Sequence, residues 1–473
     1  MFRKVNKVHF VGIGGIGMSG IAELLINLGF KVSGSDLNDS SIIQNLKAKG
    51  ASILEGHHAN NIQDCEVVVY SSAVPKNNPE LLAAHKKNVP IIKRAEMLGE
   101  LIALKQTSIG VGGTHGKTST SSMVGSLLSK ANLDPTLVVG GLVKNLDTNS
   151  KLGSGDLIVV EADEYDKSFL QLKPTIAVIT NIEEEHMDCY DNLDDLHNSF
   201  AQFANSVPFY GALVACLDSP GVQNILPLVK RSVITYGLSS QAEISAKKIR
   251  FNQMKTTYSL YRNNLKCGEV TLEVPGEHNV LNSLAATAIG FEMGLDTKTI
   301  IAGIGNYGGV RRRFEIKGIA RDVMVVDDYA HHPTEVSATL QAARDGWDRR
   351  IIAVFQPHLF SRTKDFYKEF ATAFMDSDVL IVTDVYPARE EPIEGVTGQL
   401  VFDAARSAGH KNAHYVPILD DLESSLDKIV EENDIVNESQ ESIIEATKRF
   451  ELNRNCKPTF LKNVNWSQTS FDK

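Results

Sequence analysis

Cysteine is scarce in this chain of 473 residues. The five present (Cys65, Cys189, Cys216, Cys267 and Cys456) are odd in number and scattered. None forms a CxxC pair, so neither a disulfide framework nor a zinc ribbon is expected, and reduced thiols in a cytoplasmic protein fit the pattern. Long apolar runs are missing too. No stretch reaches the roughly 18 residues that span a bilayer, and the first residues lead into a strand-like segment without the apolar core of a signal peptide. No membrane association is expected. Basic residues are outnumbered, with Lys+Arg 48 against Asp+Glu 58 and a net charge of −10. Without a basic stripe, nucleic acid is not an expected partner. Small anions remain possible ligands, because local Lys, Arg and backbone N–H groups suffice to hold them.

Glycine, in contrast, is placed with purpose. One glycine-rich turn, Gly12-Ile13-Gly14-Gly15-Ile16-Gly17, follows the apolar run Val8 to Val11. Another, Gly113-Thr114-His115-Gly116-Lys117-Thr118-Ser119, follows Ile109-Gly110-Val111. The length suggests about two to four domains. Short apolar strands such as Val67–Tyr70, Leu157–Glu161 and Val323–Asp327 alternate with helical stretches, which predicts parallel sheets covered by helices. Three consecutive α/β units are the simplest partition: 1–105, 106–310 and 311–436. The middle unit has an antiparallel excursion between Ala242 and Val274. Residues 437–473 are polar and contain no glycine, and are expected to be a poorly packed tail.

The Lys117 turn carries the strongest chemical signal. Backbone N–H groups at a glycine-rich helix start can cradle phosphates, a lysine can hold the terminal ones, and Thr118 can ligand Mg²⁺. The spacing departs from the common P-loop, because Val111 stands where its first glycine belongs. A plain helix start closed by glycine is the bland alternative, but the strand–loop–helix context favours ATP. At Gly12–Gly17, with Asp36 about twenty residues on, three readings stay open: NAD(P), another nucleotide diphosphate, or a packing turn.

Further candidates end strands. Glu161-Ala162-Asp163-Glu164 closes a buried run, where a carboxylate facing a phosphate loop suits Mg²⁺. His186, in Thr180-Asn181-Ile182-Glu183-Glu184-Glu185-His186, is either a second metal ligand or part of a solvated acidic face. Asp327-Asp328-Tyr329-Ala330-His331-His332-Pro333 and Phe355-Gln356-Pro357-His358-Leu359-Phe360-Ser361-Arg362-Thr363 place His and Arg donors at successive strand ends of one sheet. That indicates a crevice site.

Taken in order, these segments resemble the Mur ligase family. The match runs from Val8 to about Val436 and includes GIGGIGMSGIA, GTHGKTS, EADEYDKSF, TNIEEEHMD, HNVLNSLAA, GVRRRFE, DDYAHHPTE and FQPHLFSRT. The resemblance implies a Rossmann-like UDP-sugar domain, a central ATPase and a C-terminal Rossmann-like domain. It also implies a monomer or homodimer that forms an amide with ATP and Mg²⁺ in peptidoglycan precursor synthesis. Ligases of the family that add later residues typically carry a modifiable lysine soon after the position of His186. None occurs between Met187 and Tyr210, as expected of the type that joins L-alanine to UDP-N-acetylmuramate.

The resemblance assigns Gly12, Gly14, Gly15, Gly17, Asp36 and Ser71 to the UDP-sugar. It gives Gly113, Thr114, His115, Gly116, Lys117, Thr118, Ser119, His278, Asn279, Asn282 and Asp328 to the nucleotide. Thr118, Glu161 and His186 are the metal ligands. Lys117, Glu161, His186, Arg313, His331 and His358 form the catalytic set, and Tyr329 and Arg362 place substrate. A murein-peptide-recycling ligase, an NAD-dependent oxidoreductase and a non-catalytic nucleotide-binding protein are the alternatives. Family members usually end on a buried strand and a glycine-rich turn. Here Asp434-Ile435-Val436 begins such a strand and the turn is absent, so loss of an edge strand from the third domain is expected.

Overall fold

Three sheets form in the computed structural model of the protein, which describes residues 5–439 except 63, 72, 145–147, 188, 321 and 389. The first runs Ser52–Glu55, Lys31–Asp36, Lys7–Val11, Val67–Tyr70, Ile91–Lys93, all parallel. Its strand order reverses beside Lys7–Val11, and the Gly12 turn leaves the sheet at that switch point, where ligands of open α/β sheets bind. The strand Ser52–Glu55 and the helix Arg94–Ile102 were not expected from sequence. Ser52–Glu55 is an edge strand with mostly exposed side chains, so its apolar pattern is weak.

The central sheet has ten strands. Its parallel core places Thr107–Gly112 between Ile176–Ile179 and Leu157–Glu161. These are near-continuous apolar runs, as sheets covered on both faces require. Three adjacent carboxyl ends therefore deliver the Lys117 turn, the Glu161 segment and the His186 segment side by side. The expected antiparallel excursion is present as Ile244–Asn252, Lys255–Arg262 and Leu265–Leu272 at one end of the sheet. Helices Lys117–Lys130 and Glu277–Glu292 bury Val124, Leu127, Leu284 and Ala288 in one core on it.

The third sheet runs Glu315–Ala320, Val323–Asp327, Asp434–Glu438, Arg350–Phe355, Val379–Val382, Ala413–Tyr415. Here the edge-strand expectation is corrected. Asp434–Glu438 is central, paired in parallel with both Val323–Asp327 and Arg350–Phe355, and it runs through Asn437 and Glu438, past the expected boundary at 436. The physical reason is its two-sided apolar pair. Ile435 enters the core under helix Pro333–Gly346, and Val436 enters the opposite core with Leu422 and Leu426. The rest of the expected tail, 440–473, lies outside the described residues. Among the described residues no helix is long and apolar enough to cross a membrane, and Cys65, Cys216 and Cys267 are not in disulfides.

Because Ile435 is fully buried in that central strand, Ile435→Ala should destabilise the third domain by about 2–5 kcal/mol. The check is a chemical-denaturation curve followed by a C-terminal-domain probe such as Trp347 fluorescence. A midpoint equal to that of the unchanged protein would deny the strand its central place.

Candidate active site

The Lys117 turn is shaped by close backbone approach. Gly113 has φ +132°, and a methyl group there would land on Thr180 Oγ1; one on Gly116, φ +81°, would meet Asn282 Oδ1 at 2.6 Å. No other residue type fits that geometry without displacing its neighbours. Gly116 caps helix Lys117–Lys130 without a side-chain bond, so no cap side chain satisfies the first N–H groups of the helix. His115 N is held by Asn181 Oδ1 at 2.7 Å, and Thr180 Oγ1 donates to His115 O at 2.6 Å. The turn is thereby tied to the neighbouring strand end.

Lys117 Nζ folds into this turn, donating to Gly113 O at 2.6 Å, Thr114 O at 3.0 Å and Glu164 Oε2 at 2.8 Å. Burial opposes its charge, but Glu164 and Asp163 outweigh burial and hold the ammonium above its ordinary pKa. Burial in turn pushes Glu164 up to about 7, against the pull of Lys117. Glu161 Oε1 accepts from Gly140 N at 2.6 Å and from Ser121 Oγ at 3.4 Å, and burial raises its pKa while a Thr118 hydrogen bond lowers it. That hydrogen bond makes Thr118 and Glu161 neighbours.

His186 sits elsewhere in the site. Its Nε2 lies 3.8 Å from Glu164 Oε1, and Glu164, Glu185 and His186 place one ligand atom each within 4.8 Å of one another. In the acidic run before His186 only Glu184 faces solvent. Glu185 is buried, and it accepts from Arg362 Nη2 of the third domain at 3.1 Å. Glu183 Oε2 accepts from Thr334 Oγ1, also of the third domain, at 2.7 Å. Glu164, Glu183 and Glu185 were missed as functional candidates. Glu335 was missed as well, although its position four residues after His331 was a readable signal.

From the third domain, His331 Nδ1 lies 3.2 Å from Glu335 Oε2, and His358 Nδ1 lies 3.3 Å from Arg362 Nη1. Arg313 Nη1 approaches Glu335 Oε1 at 3.4 Å, and its guanidinium lies 5.7 Å from the Tyr329 ring. Asp328 accepts from Phe314 N and Ala330 N at 2.7 and 2.9 Å, and burial raises its pKa to about 6. Behind the turn, Thr120 Oγ1 donates to Asn282 Oδ1 at 3.1 Å, and Asn282 Nδ2 to Asn279 Oδ1 at 3.3 Å. Burial lowers the pKa of His278 to about 4, and this neutral ring borders a cleft of about 570 Å³ lined also by Glu277, Pro333, Thr334 and Gln341. The turn at Gly12–Gly17 lies in the first domain, apart from this cluster. Gly14 N donates to Asp36 Oδ2 at 2.8 Å, and Ser71 Oγ accepts from Ala73 N at 3.3 Å.

His115 ties two domains. Its Nε2 is 3.5 Å from Glu183 and its Nδ1 is 3.3 Å from Glu335 of the third domain. Burial disfavours the imidazolium, yet the two carboxylates raise its pKa from 6.5 to about 10. A folded-state value above the unfolded one gives stability that is complete below about 6.5 and fades as pH climbs toward 10. Thermal midpoints should therefore fall from pH 7 to 10, and His115→Asn should flatten part of that decline. Parallel profiles for the two proteins would remove His115 from the tie.

Residues 7–106 match the profile described as Mur ligase family, catalytic domain; 111–290 match the Mur ligase middle domain; 312–437 match the Mur ligase, glutamate ligase domain. A UDP-N-acetylmuramate–L-alanine ligase of Syntrophus aciditrophicus is 51% identical over 436 residues, covering 92% of this chain and 91% of that one. One from Myxococcus xanthus is 50% identical, covering 92% of each. The crystal structure of UDP-N-acetylmuramate-alanine ligase from Thermotoga maritima superposes with a TM-score of 0.79 at 30% identity, over 95% of this chain and 98% of that one. A murein peptide ligase from Psychrobacter arcticus, 24% identical with a TM-score of 0.69, covers 94% of this chain and 98% of its own and shares the fold.

Proposed function

We propose, from the premise that this chain belongs to the Mur ligase family, that it joins L-alanine to UDP-N-acetylmuramate with ATP as the energy source. This is the first amino-acid addition in peptidoglycan precursor synthesis, and it belongs in the cytoplasm. Identity near one half to relatives of that name, over 92% of the chain, supports the substrate pair. The observation that carries the chemistry is the convergence of Lys117, Glu161 and the Glu164–Glu185–His186 cluster at three neighbouring strand ends, faced by Arg362 and His331 of the third domain.

In this reading the muramoyl carboxylate attacks the γ-phosphorus of ATP, the bond to the β,γ-bridging oxygen breaks, and ADP leaves. The amine of L-alanine then attacks the acyl carbon, loses a proton, and expels phosphate carrying one former carboxylate oxygen. Positioning and charge neutralisation do most of the work in such transfers. Lys117 leaves Glu164 for the phosphates, and Arg313 adds a second cation. Asn279 and Asn282 hold the turn from behind, while His278 meets the nucleoside at the mouth of the cleft. Tyr329, His331, His358 and Arg362 close over the amino acid.

The donor set suits Mg²⁺. Thr118 and Glu161 offer adjacent oxygens for one ion, and Glu164 and Glu185 supply carboxylates beside His186 for a second, as hard cations prefer. Bound there, they would neutralise the negative charge that builds on the transferring phosphoryl group. The Gly12–Gly17 turn, with Asp36 and Ser71 at its rim, holds the UDP end.

Phosphate release with ATP, Mg²⁺, UDP-N-acetylmuramate and L-alanine should require all four, and omission of L-alanine should abolish steady turnover. Alanine-independent release at the full rate would sink the ligase reading. Lys117→Ala should lower kcat at least about 100-fold, the usual scale for losing one charge stabiliser of a transition state, while UDP binding stays within about twofold of the unchanged protein.

A further inference from the structure

The first domain holds a cation that no sequence motif announced. Arg94 opens helix Arg94–Ile102, and its guanidinium lies against Gly17, the third glycine of the first turn. A methyl group on Gly17 would sit 2.8 Å from Arg94 Nη1 and 3.4 Å from Cζ. In a dinucleotide-type turn the third glycine ordinarily allows close packing of helix on strand. Here it makes room for an arginine. Gly17 lies in the first turn of helix Ile16–Asn27, whose cap, Gly15, contributes no side-chain bond. The same guanidinium also reaches the central domain, with Nη2 at 3.1 Å from Asp163 Oδ2, in the segment between Glu161 and Glu164.

We infer that Arg94 is a substrate-binding residue that holds the diphosphate of the UDP-sugar and exchanges Asp163 for it when the substrate arrives. This inference rests on the UDP reading of the Gly12–Gly17 turn. The chemistry favours the exchange. A guanidinium offers five N–H donors in a planar fork, and a diphosphate presents more negative charge than one carboxylate. The Arg94–Asp163 pair is only partly buried, with side chains 23% and 40% exposed, so opening it costs little. Arg94 also stands at the seam between the two anion-holding turns, which a substrate bound by its diphosphate must cross to bring its carboxylate to Lys117.

The test is calorimetric binding of UDP to the full chain, its Arg94→Ala and Arg94→Lys variants, and Asp163→Asn. The expected results are a loss of at least tenfold in UDP affinity for Arg94→Ala, a smaller loss for Arg94→Lys, and unchanged or tighter binding for Asp163→Asn, which removes the competitor. Binding of a non-hydrolysable ATP analogue to the Arg94 variants should stay within twofold. A purely structural tie between domains predicts instead that Asp163→Asn weakens UDP binding as Arg94→Ala does, and that result would overturn the inference. Arg94→Ala binding UDP as tightly as the unchanged chain would overturn it too. Absence of UDP binding by the unchanged chain would bring down the reading of the first turn, and this inference with it. Thermal melts of all variants separate lost binding from lost folding.

Discussion

Backbone packed too closely for a side chain to intervene is the constraint on which the site depends. Gly113 lies against Thr180, and Gly116 lies against Asn282. That approach pins the Lys117 turn between the strand ends that carry Glu161 and His186. A residue with a Cβ at either glycine would displace the turn and, with it, the relation of Lys117 to Glu164. The strand order of the central sheet then completes the arrangement, because three adjacent parallel strands lead into the Lys117 turn, the Glu161 segment and the His186 segment.

Once the turn is fixed, the electrostatics follow from crowding. Glu161, Glu164, Glu183, Glu185 and Glu335 converge on Lys117, His115, Arg313 and Arg362. Burial alone makes such a group of charges costly, so each must find a partner. Where carboxylates meet cations across the domain boundary, as at Arg362–Glu185 and Glu335–His115, the partners serve as ties between domains. Where burial outweighs the partner, as at Glu164 and Asp328, the carboxyl pKa rises toward neutrality. The acidic run before His186 thus bridges domains: Glu183 meets both His115 of the turn and Thr334 of the third domain, and Glu185 meets Arg362 of the third domain beside His186.

Much of this was legible in the sequence, for a physical reason. Phosphate turns and acidic strand ends in α/β sheets sit at fixed offsets from apolar runs, so Lys117 could be placed at a helix start, Glu161 at a strand end and His186 in the loop after a strand. What could not be read was which face of a loop meets another domain. Glu183 and Glu185 look like solvated acids in sequence, and only the docked third domain makes them partners of Thr334 and Arg362. Arg94 was invisible for the same reason, since it matters through Gly17 and Asp163, each far from it in the chain. The place of Asp434–Glu438 was misjudged because crossovers set strand order. A three-residue apolar start cannot tell a central strand from an edge.

In the proposed reaction the muramoyl carboxylate is activated by direct attack on the γ-phosphorus at the Lys117 turn. The most direct measurement uses UDP-N-acetylmuramate labelled with ¹⁸O in that carboxylate, turned over with ATP and L-alanine, with the released phosphate analysed by mass spectrometry. Direct attack predicts one labelled oxygen per phosphate, with the other kept in the amide product. Phosphate free of label, released in step with amide formation, would contradict it.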